Sequence, residues 1–238
     1  AELCCSQNPA FGGSLAFALI QGFKKNGSRC RLVDGKDEKE MPFDKLFAAA
    51  IALSRVVKAE TDKKRVGIIL PPGTAGLIAN VAVVLAGKTP VNLNFTASRQ
   101  AIESSIKQSE IDKFLTADLF VRKMQSFPWP PLKHLIMLER LFPTLKRRIA
   151  GWFMLSKALP ASLLAMILGV SKQGGREEAS LIFTSGGSGE PEMRDVVHGL
   201  RVSMPTFSES AAEPLCTAGE NHEINSSTPA SRTARSVV

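Results

Sequence analysis

A continuous apolar run, Val66-Gly-Ile-Ile-Leu70, is cut off by Pro71-Pro72-Gly73 and followed by an Ala/Val/Leu-rich segment, Gly76–Ala86, with Gly87 at its end. This sequence of features constrains the fold more than any other part of the chain. A strand that is apolar at every position is buried on both faces, as in a parallel sheet. A glycine just past an aliphatic helix is what a C-terminal cap prefers. Pro90–Leu93 supplies a second short strand. Strand, helix and strand in that order predict a βαβ unit, because parallel neighbours need a crossover of about a dozen residues or more.

The flanking segments continue the alternation. Ser14–Phe23 reads as a short apolar helix, Cys30–Asp34 as a short strand and Asp34-Gly35-Lys36 as a turn. Phe43, Leu46, Phe47, Ala50, Ile51, Ser54 and Val57 recur at helical spacing, which predicts an amphipathic helix over Phe43–Ala59. Beyond the βαβ unit come a polar helix at Ser98–Ser109, a strand at Lys113–Thr116 and a helix at Ala117–Ser126. The break Pro128-Trp-Pro-Pro131 follows, then a strand in His134–Leu138. Helix and strand alternating in this way predict an α/β fold.

Composition narrows the class. Of 238 residues, 44% are hydrophobic and 22% charged, which excludes whole-chain disorder and collagen. Cys4 and Cys5 are adjacent, Cys30 and Cys216 are isolated, and no CxxC occurs. That is no disulfide framework, and the expected compartment is reducing and cytoplasmic. The net charge of +8 admits nucleotides, lipid headgroups or nucleic acid as partners. The basic residues are scattered and no recognition motif is present, so nucleic acid is not expected. Met193–Val238 is rich in Ser, Thr, Pro, Ala and Gly, is close to neutral and shows no helical or strand period. The expected division is therefore a folded unit over 1–192 and a disordered or frame-shifted tail over 193–238.

Residues 149–170 are apolar except for Gly151, Ser156, Lys157, Pro160, Ser162 and Gly169, and Lys146-Arg147-Arg148 lies just before them. Three readings are open: a buried or cap helix of the domain, an interfacial pair of helices on an anionic membrane surface, or a spanning helix. Lys157 and Pro160 near the middle speak against the span. The basic run itself is ordinarily a solvated face, with anionic lipid as its second use.

The segment that carries the most chemistry is Leu181-Ile-Phe-Thr-Ser-Gly-Gly-Ser-Gly-Glu-Pro191. An apolar strand runs into a loop of Thr, Ser and Gly. Glycines let backbone N–H groups turn toward an anion without Cβ interference, and Thr184, Ser185 and Ser188 add hydroxyl donors. Such a loop after a strand suits a phosphate. On local composition alone a flexible surface turn fits equally well.

The order of residues in this loop resembles the phosphate-binding signature of the adenylate-forming (AMP-binding) enzymes. That signature reads aromatic-Thr-Ser-Gly-Ser/Thr-Ser/Thr-Gly-x-Pro-Lys-Gly. Phe183, Thr184, Ser185, Gly186, Ser188, Gly189 and Pro191 match; Gly187 stands at a Ser/Thr position and Glu192 at the Lys position. Upstream, Pro71-Pro-Gly-Thr-Ala-Gly, Asn80-Val-Ala-Val-Val-Leu-Ala-Gly-Lys and Asn92-Leu-Asn-Phe-Thr are similar to the acyl-ACP synthetase branch of the family, the ligase half of bacterial 2-acylglycerophosphoethanolamine acyltransferases. The resemblance covers about residues 28–191.

The resemblance implies a partial N-terminal subdomain of the adenylate-forming ligase fold. It implies ATP and Mg²⁺ as cofactors, with Thr184, Ser185, Gly186, Gly187, Ser188, Gly189 and Pro191 around the phosphates. A fatty acid would be activated as acyl-AMP and passed to acyl carrier protein, coenzyme A or a lysophospholipid. The site of action would be the cytoplasm, with peripheral contact at the inner membrane face. No catalytic residue and no protein metal ligand is assigned. The family's adenine, ribose, Mg²⁺ and lysine elements have no counterpart here, so the expectation is a truncated or frame-shifted ligase that cannot complete catalysis. An anion at 192 beside a triphosphate would weaken binding where a cation would aid it.

Three further features have structural readings. Ala86-Gly-Lys-Thr89 follows its helix, and position 82 is Ala, so it is not a Walker A loop. His134 is expected to be a satisfied core histidine and Trp129 a packing anchor. His198 and His222 fall in the tail, and no Cys/His spacing makes a zinc site.

Overall fold

The computed structural model describes residues 13–35, 38–174, 178–185, 191–197 and 202–203. It is an α/β fold on a seven-stranded sheet, with strand order β6-β5-β3-β4-β7-β8-β9. The elements before the sheet are α1 (Leu15–Asn26), a small antiparallel pair β1 (Arg31–Val33) and β2 (Glu40–Pro42), and α2 (Phe43–Glu60). The parallel body follows: β3 (Arg65–Ile68), α3 (Thr74–Leu85), β4 (Thr89–Asn92), α4 (Arg99–Ser109), β5 (Phe114–Thr116), α5 (Asp118–Lys123) and β6 (Leu135–Met137). Then come α6 (Leu138–Ala158), α7 (Ala161–Leu168) and β7 (Glu178–Ser185), with β8 (Pro191–Val197) and β9 (Val202–Ser203) returning antiparallel.

The expected βαβ unit is present. β3 and β4 are parallel, with Arg65 opposite Thr89 and Ile68 opposite Asn92. Gly87 takes φ +72° just past α3, the left-handed conformation that ends a helix. Side chains alternate between the sheet's faces. Val66, Ile68, Leu115 and Ile136 join the larger core with α1, α2, α3 and α7. Ile69, Val91, Phe114 and Leu181 join Ile102 of α4 in a smaller core on the other face. Gly67 in β3 is where the ring of Phe114 lies: a Cβ built there would come 2.3 Å from the Phe114 Cδ1 atom.

For 149–170 the structure bears out the reading as buried helices of the domain, while the tail expected beyond 192 differs from it in part. Residues 149–170 belong to two helices parted at Leu159-Pro160, and α6 starts as far back as Leu138, through Pro143 and the basic run. Leu145, Ser156, Leu164, Ala165 and Leu168 are buried along these helices, so their inner faces are core. Among the described residues no helix is long and apolar enough to cross a membrane. Beyond Met193 no strand period was legible, yet β8 runs across that point and β9 follows. The free edge of β7 explains this, because an antiparallel partner satisfies its unpaired N–H and C=O groups whatever the side-chain pattern.

Candidate functional site

Ligands of open α/β sheets sit outside the carboxyl ends of the strands. Here those ends are the Ile69–Gly73 turn after β3, Leu93–Thr96 after β4, Ala117 after β5 and the exit of β7. β7 lies beside β4 in parallel, with Asn92 opposite Ile182, so Thr184 and Ser185 continue past the end of β4. β8 pairs back with Thr184 opposite Glu192 and Ser185 opposite Pro191. The segment 186–190 therefore joins two paired strands at the carboxyl edge of the sheet.

Of the seven residues assigned from sequence, Thr184 and Ser185 are the last residues of β7, and Pro191 is the first of β8. Gly186, Gly187, Ser188 and Gly189 lie outside the described residues, as do His198 and His222.

The loop's base is held firmly at its far end. Glu178 opens β7 almost buried and takes the Arg65 Nε at 2.9 Å and the Lys64 Nζ at 3.5 Å. The Thr89 Oγ1 donates to the Glu178 carbonyl at 3.2 Å, and the Ser180 Oγ to the Pro90 carbonyl at 3.3 Å. At the carboxyl edge the Thr116 hydroxyl donates to the Ile69 carbonyl at 2.9 Å, tying β5 to the turn after β3. Asn80 of α3 and Asn92 of β4 exchange amide hydrogen bonds at 3.1 and 2.8 Å. These two asparagines open the second and third upstream motifs, so the motif residues act here as a brace between helix and strand.

The first upstream motif is also structural. Gly73 at φ +142° turns the chain into α3, and the Thr74 N–H and Oγ1 both donate to the Asp34 Oδ2 at 3.0 Å. A carboxylate from the β1–β2 turn thus caps α3 and takes up its N-terminal dipole. That helix end is filled by the chain itself. Sequence reading missed Asp34 because its partner is forty residues away; the Asp-Gly turn was visible, its target was not.

The other titratable groups are structural. Asp118 at the start of α5 is held below its usual 3.8, first by the Arg140 guanidinium hydrogen-bonded at 2.6 Å, with Arg122 at 3.1 Å adding to it. Burial, and then Arg55 and Lys88, lower Lys58, whose Nζ donates to the Leu168 carbonyl at 2.8 Å. Burial lowers Lys24, which donates to the Ser156 and Lys157 carbonyls. The His134 Nδ1 lies 2.7 Å from the Asp112 carbonyl at the amino edge, as a satisfied histidine should. The Lys88 Nζ donates to the Lys63 carbonyl at 2.7 Å, also at the amino edge. The Trp129 Nε1 donates to the Met124 carbonyl at 2.8 Å while its ring meets Phe120 and Phe127.

A cavity of about 230 Å³ opens at the amino edge, between Lys64, Lys88, Thr89, Ser171 and Glu178. It lies at the opposite end of the strands from the loop, and its one carboxylate is already paired. No group of three His, Cys, Asp or Glu that could hold a metal occurs among the described residues.

No protein-family model matches the chain. Solved structures do resemble it in fold. VinN in complex with 3-methylaspartate matches with a TM-score of 0.55 and 15% identity, over 79% of this chain and 48% of that one. The inhibitor-bound N-terminal domain of FACL13 from Mycobacterium tuberculosis gives 0.54 and 14%, over 79% and 44%. The anthranilate CoA ligase AuaEII in complex with anthranoyl-AMP gives 0.56 and 14%, over 82% and 35%. The chain thus has the α/β architecture of part of these structures and spans about half of their length or less.

Proposed function

We propose that this chain is the phosphate-binding part of an ATP-dependent acid ligase. The observation that carries the reading is where the ends of the Thr184–Pro191 segment sit: Thr184 and Ser185 close β7 and Pro191 opens its antiparallel partner β8, at the carboxyl edge of the parallel strands. Support comes from the fold likeness to structures holding anthranoyl-AMP and AMPPNP. In the reaction so proposed, a carboxylate oxygen attacks the α-phosphorus of ATP and pyrophosphate leaves, giving an acyl-AMP. A thiol then attacks the acyl carbon, the bond to AMP breaks, and AMP and the thiol's proton leave. Thr184, Ser185, Gly186, Gly187, Ser188 and Gly189 would hold the β- and γ-phosphates by backbone N–H and hydroxyl donors, with Pro191 fixing the return strand. This is positioning and charge neutralisation, without a covalent step on the protein.

The finer reading is a fatty acid as substrate, and acyl carrier protein, coenzyme A or a lysophospholipid as acceptor, in the cytoplasm. It rests on the motif resemblance to the acyl-ACP synthetase branch. We further infer that 1–192 is the partial ligase unit, that 193–238 is a frame-shifted tail whose first residues extend the sheet as β8 and β9, and that the chain is incomplete for catalysis.

The test is equilibrium binding of MgATP to the full chain and to the Glu192→Lys variant, with fatty-acid-dependent ATP–pyrophosphate exchange beside it. Binding is expected in both, tighter by about tenfold or more in the variant, since a charge reversal near a triphosphate is worth at least about 1.4 kcal/mol. No exchange is expected. Absence of MgATP binding in both proteins would overturn the ligase reading. Robust exchange would leave the family reading standing and overturn the incompleteness.

A further inference from the structure

Helix α6 has an inner face that packs and an outer face of different character, and α7 also has exposed apolar residues. Met154 and Met166 are each 69% exposed, and Leu155 and Ile167 are 39% and 37% exposed. Seven residues bring an α-helix back almost to the same line, so Arg147 and Met154 share one stripe of α6 and Arg148 and Leu155 the next. Gly151 lies between them, exposed and with open space where a Cβ would be. Lys146, Arg147 and Arg148 are all exposed, and no ion pair among the described residues holds them. From Arg140 to Arg176 the sequence has Arg140, Lys146, Arg147, Arg148, Lys157, Lys172 and Arg176 and no Asp or Glu. Arg140 and Lys157 are paired, to Asp118 and Asp44, which leaves the 146–148 cluster as the uncompensated charge of α6.

We propose that this outer face of α6 docks on an anionic lipid surface. The arrangement suits that one occupant. Unpaired cations meet acidic headgroups, and flexible Met and Leu side chains enter the boundary of the acyl region. The helix lies in the interface and does not cross it. A second copy of the same face would bring like cations together, which opposes self-association. A soluble polyanion would use the cations but leave the apolar tips in water. The proposal is independent of the ligase reading: a chain that fails to bind MgATP can still pass its test.

The experiment is co-sedimentation of the full chain with vesicles of phosphatidylglycerol and phosphatidylcholine, against vesicles of phosphatidylcholine alone, over a salt series. Binding is expected to the first only, weakening with salt. Lys146→Glu/Arg147→Glu/Arg148→Glu should lower the partition coefficient about a hundredfold or more, each surface cation being worth roughly fivefold. Lys107→Glu/Lys123→Glu/Lys133→Glu makes the same charge change at exposed positions on other elements and should cost less than about threefold. All six positions are exposed, so both variants should melt as the parent does. Tryptophan placed by Met154→Trp should shift its emission to the blue on the anionic vesicles. Four results would overturn the proposal: no binding to anionic vesicles at low salt, equal binding to neutral ones, equal loss in the two triple variants, or a stable dimer in sedimentation velocity that Met154→Asp breaks.

Discussion

On one face of the sheet the core is deep and mainly aliphatic, with α1, α2, α3 and α7 laid against β3, β5 and β6. On the other face a short list of buried residues, Ile69, Val91, Leu93, Ile102, Phe114, Phe127 and Leu181, is finished by the half-buried rings of Phe95, Phe120 and Trp129. The first face is built from small residues as much as large ones. Ala48, Ala49, Ala50 and Ala52 of α2 and Ala79 and Ala82 of α3 are all buried, and they let two helices approach closely enough to exclude water without aromatic filling. The second face has one short helix, α5, with no buried residue and Leu119 64% exposed. The lesson is that burial on the two sides is obtained by different chemistry, so equal-sized truncations should not cost the same.

The sharpest break of that contrast is Phe47→Ala. Phe47 is fully buried on α2 and stacked on Phe23 at 4.2 Å. Truncation removes the Phe23–Phe47 stack of the deep face and leaves a cavity among packed helices, a loss of about 3–5 kcal/mol. Urea unfolding of the full chain reads it. Next is Gly67→Ala, which tests the seam between the faces. Its added methyl would lie 2.3 Å from the Phe114 ring, so the ring must move or β3 and β5 must part. Overpacking of this kind costs typically 1–3 kcal/mol, and this contact is close enough to reach the upper end. A neutral result would mean that Phe114 has somewhere else to go.

Trp129→Ala probes the thin face and should cost less than Phe47→Ala, about 1.5–3 kcal/mol, because the indole is only partly buried. Its single hydrogen bond, to the Met124 carbonyl, holds a turn that solvent can also satisfy. A loss equal to that of Phe47→Ala would break the contrast and show the aromatic rings to be the second anchor of the domain.

How much of this was legible follows from the physics of each element. The βαβ unit was readable because a strand buried on both faces has no choice but to be apolar throughout, and because α3 needs small residues to lie on α2. The first half of α6 was not, since Pro143 and Lys146-Arg147-Arg148 break the apolar period there and only Leu138, Leu141, Phe142 and Leu145 face inward. β2 was missed because three residues beside a turn carry too little pattern. At the candidate site, residue order gave the loop its chemistry, whereas the cap of α3 by Asp34 and the anchoring of Glu178 by Arg65 join residues far apart in the chain. No local pattern records such pairs.

The smallest effect is expected where the two faces meet at the carboxyl edge. Asp118 opens α5 on the thin side, and Arg140 belongs to α6, which packs on the deep side against α2. A second bond crosses nearby, from the Leu119 N–H to the Glu139 carboxylate at 3.1 Å. Arg140, followed by Arg122, holds the folded pKa of Asp118 below the ordinary 3.8. A carboxyl whose pKa falls on folding binds its proton more tightly in the unfolded chain. Its stabilising contribution is therefore complete above about pH 4 and is lost as pH drops through the folded value. The guanidinium groups are exposed and salt screens them, so the effect is small and should shrink further at high ionic strength. Thermal melts of parent and Asp118→Asn should differ slightly at neutral pH and converge once pH has fallen through the lowered folded value. If the two curves stay parallel through the acid range, the Asp118–Arg140 pair does not join the faces, and the Leu119–Glu139 bond is left as the tie between α5 and α6.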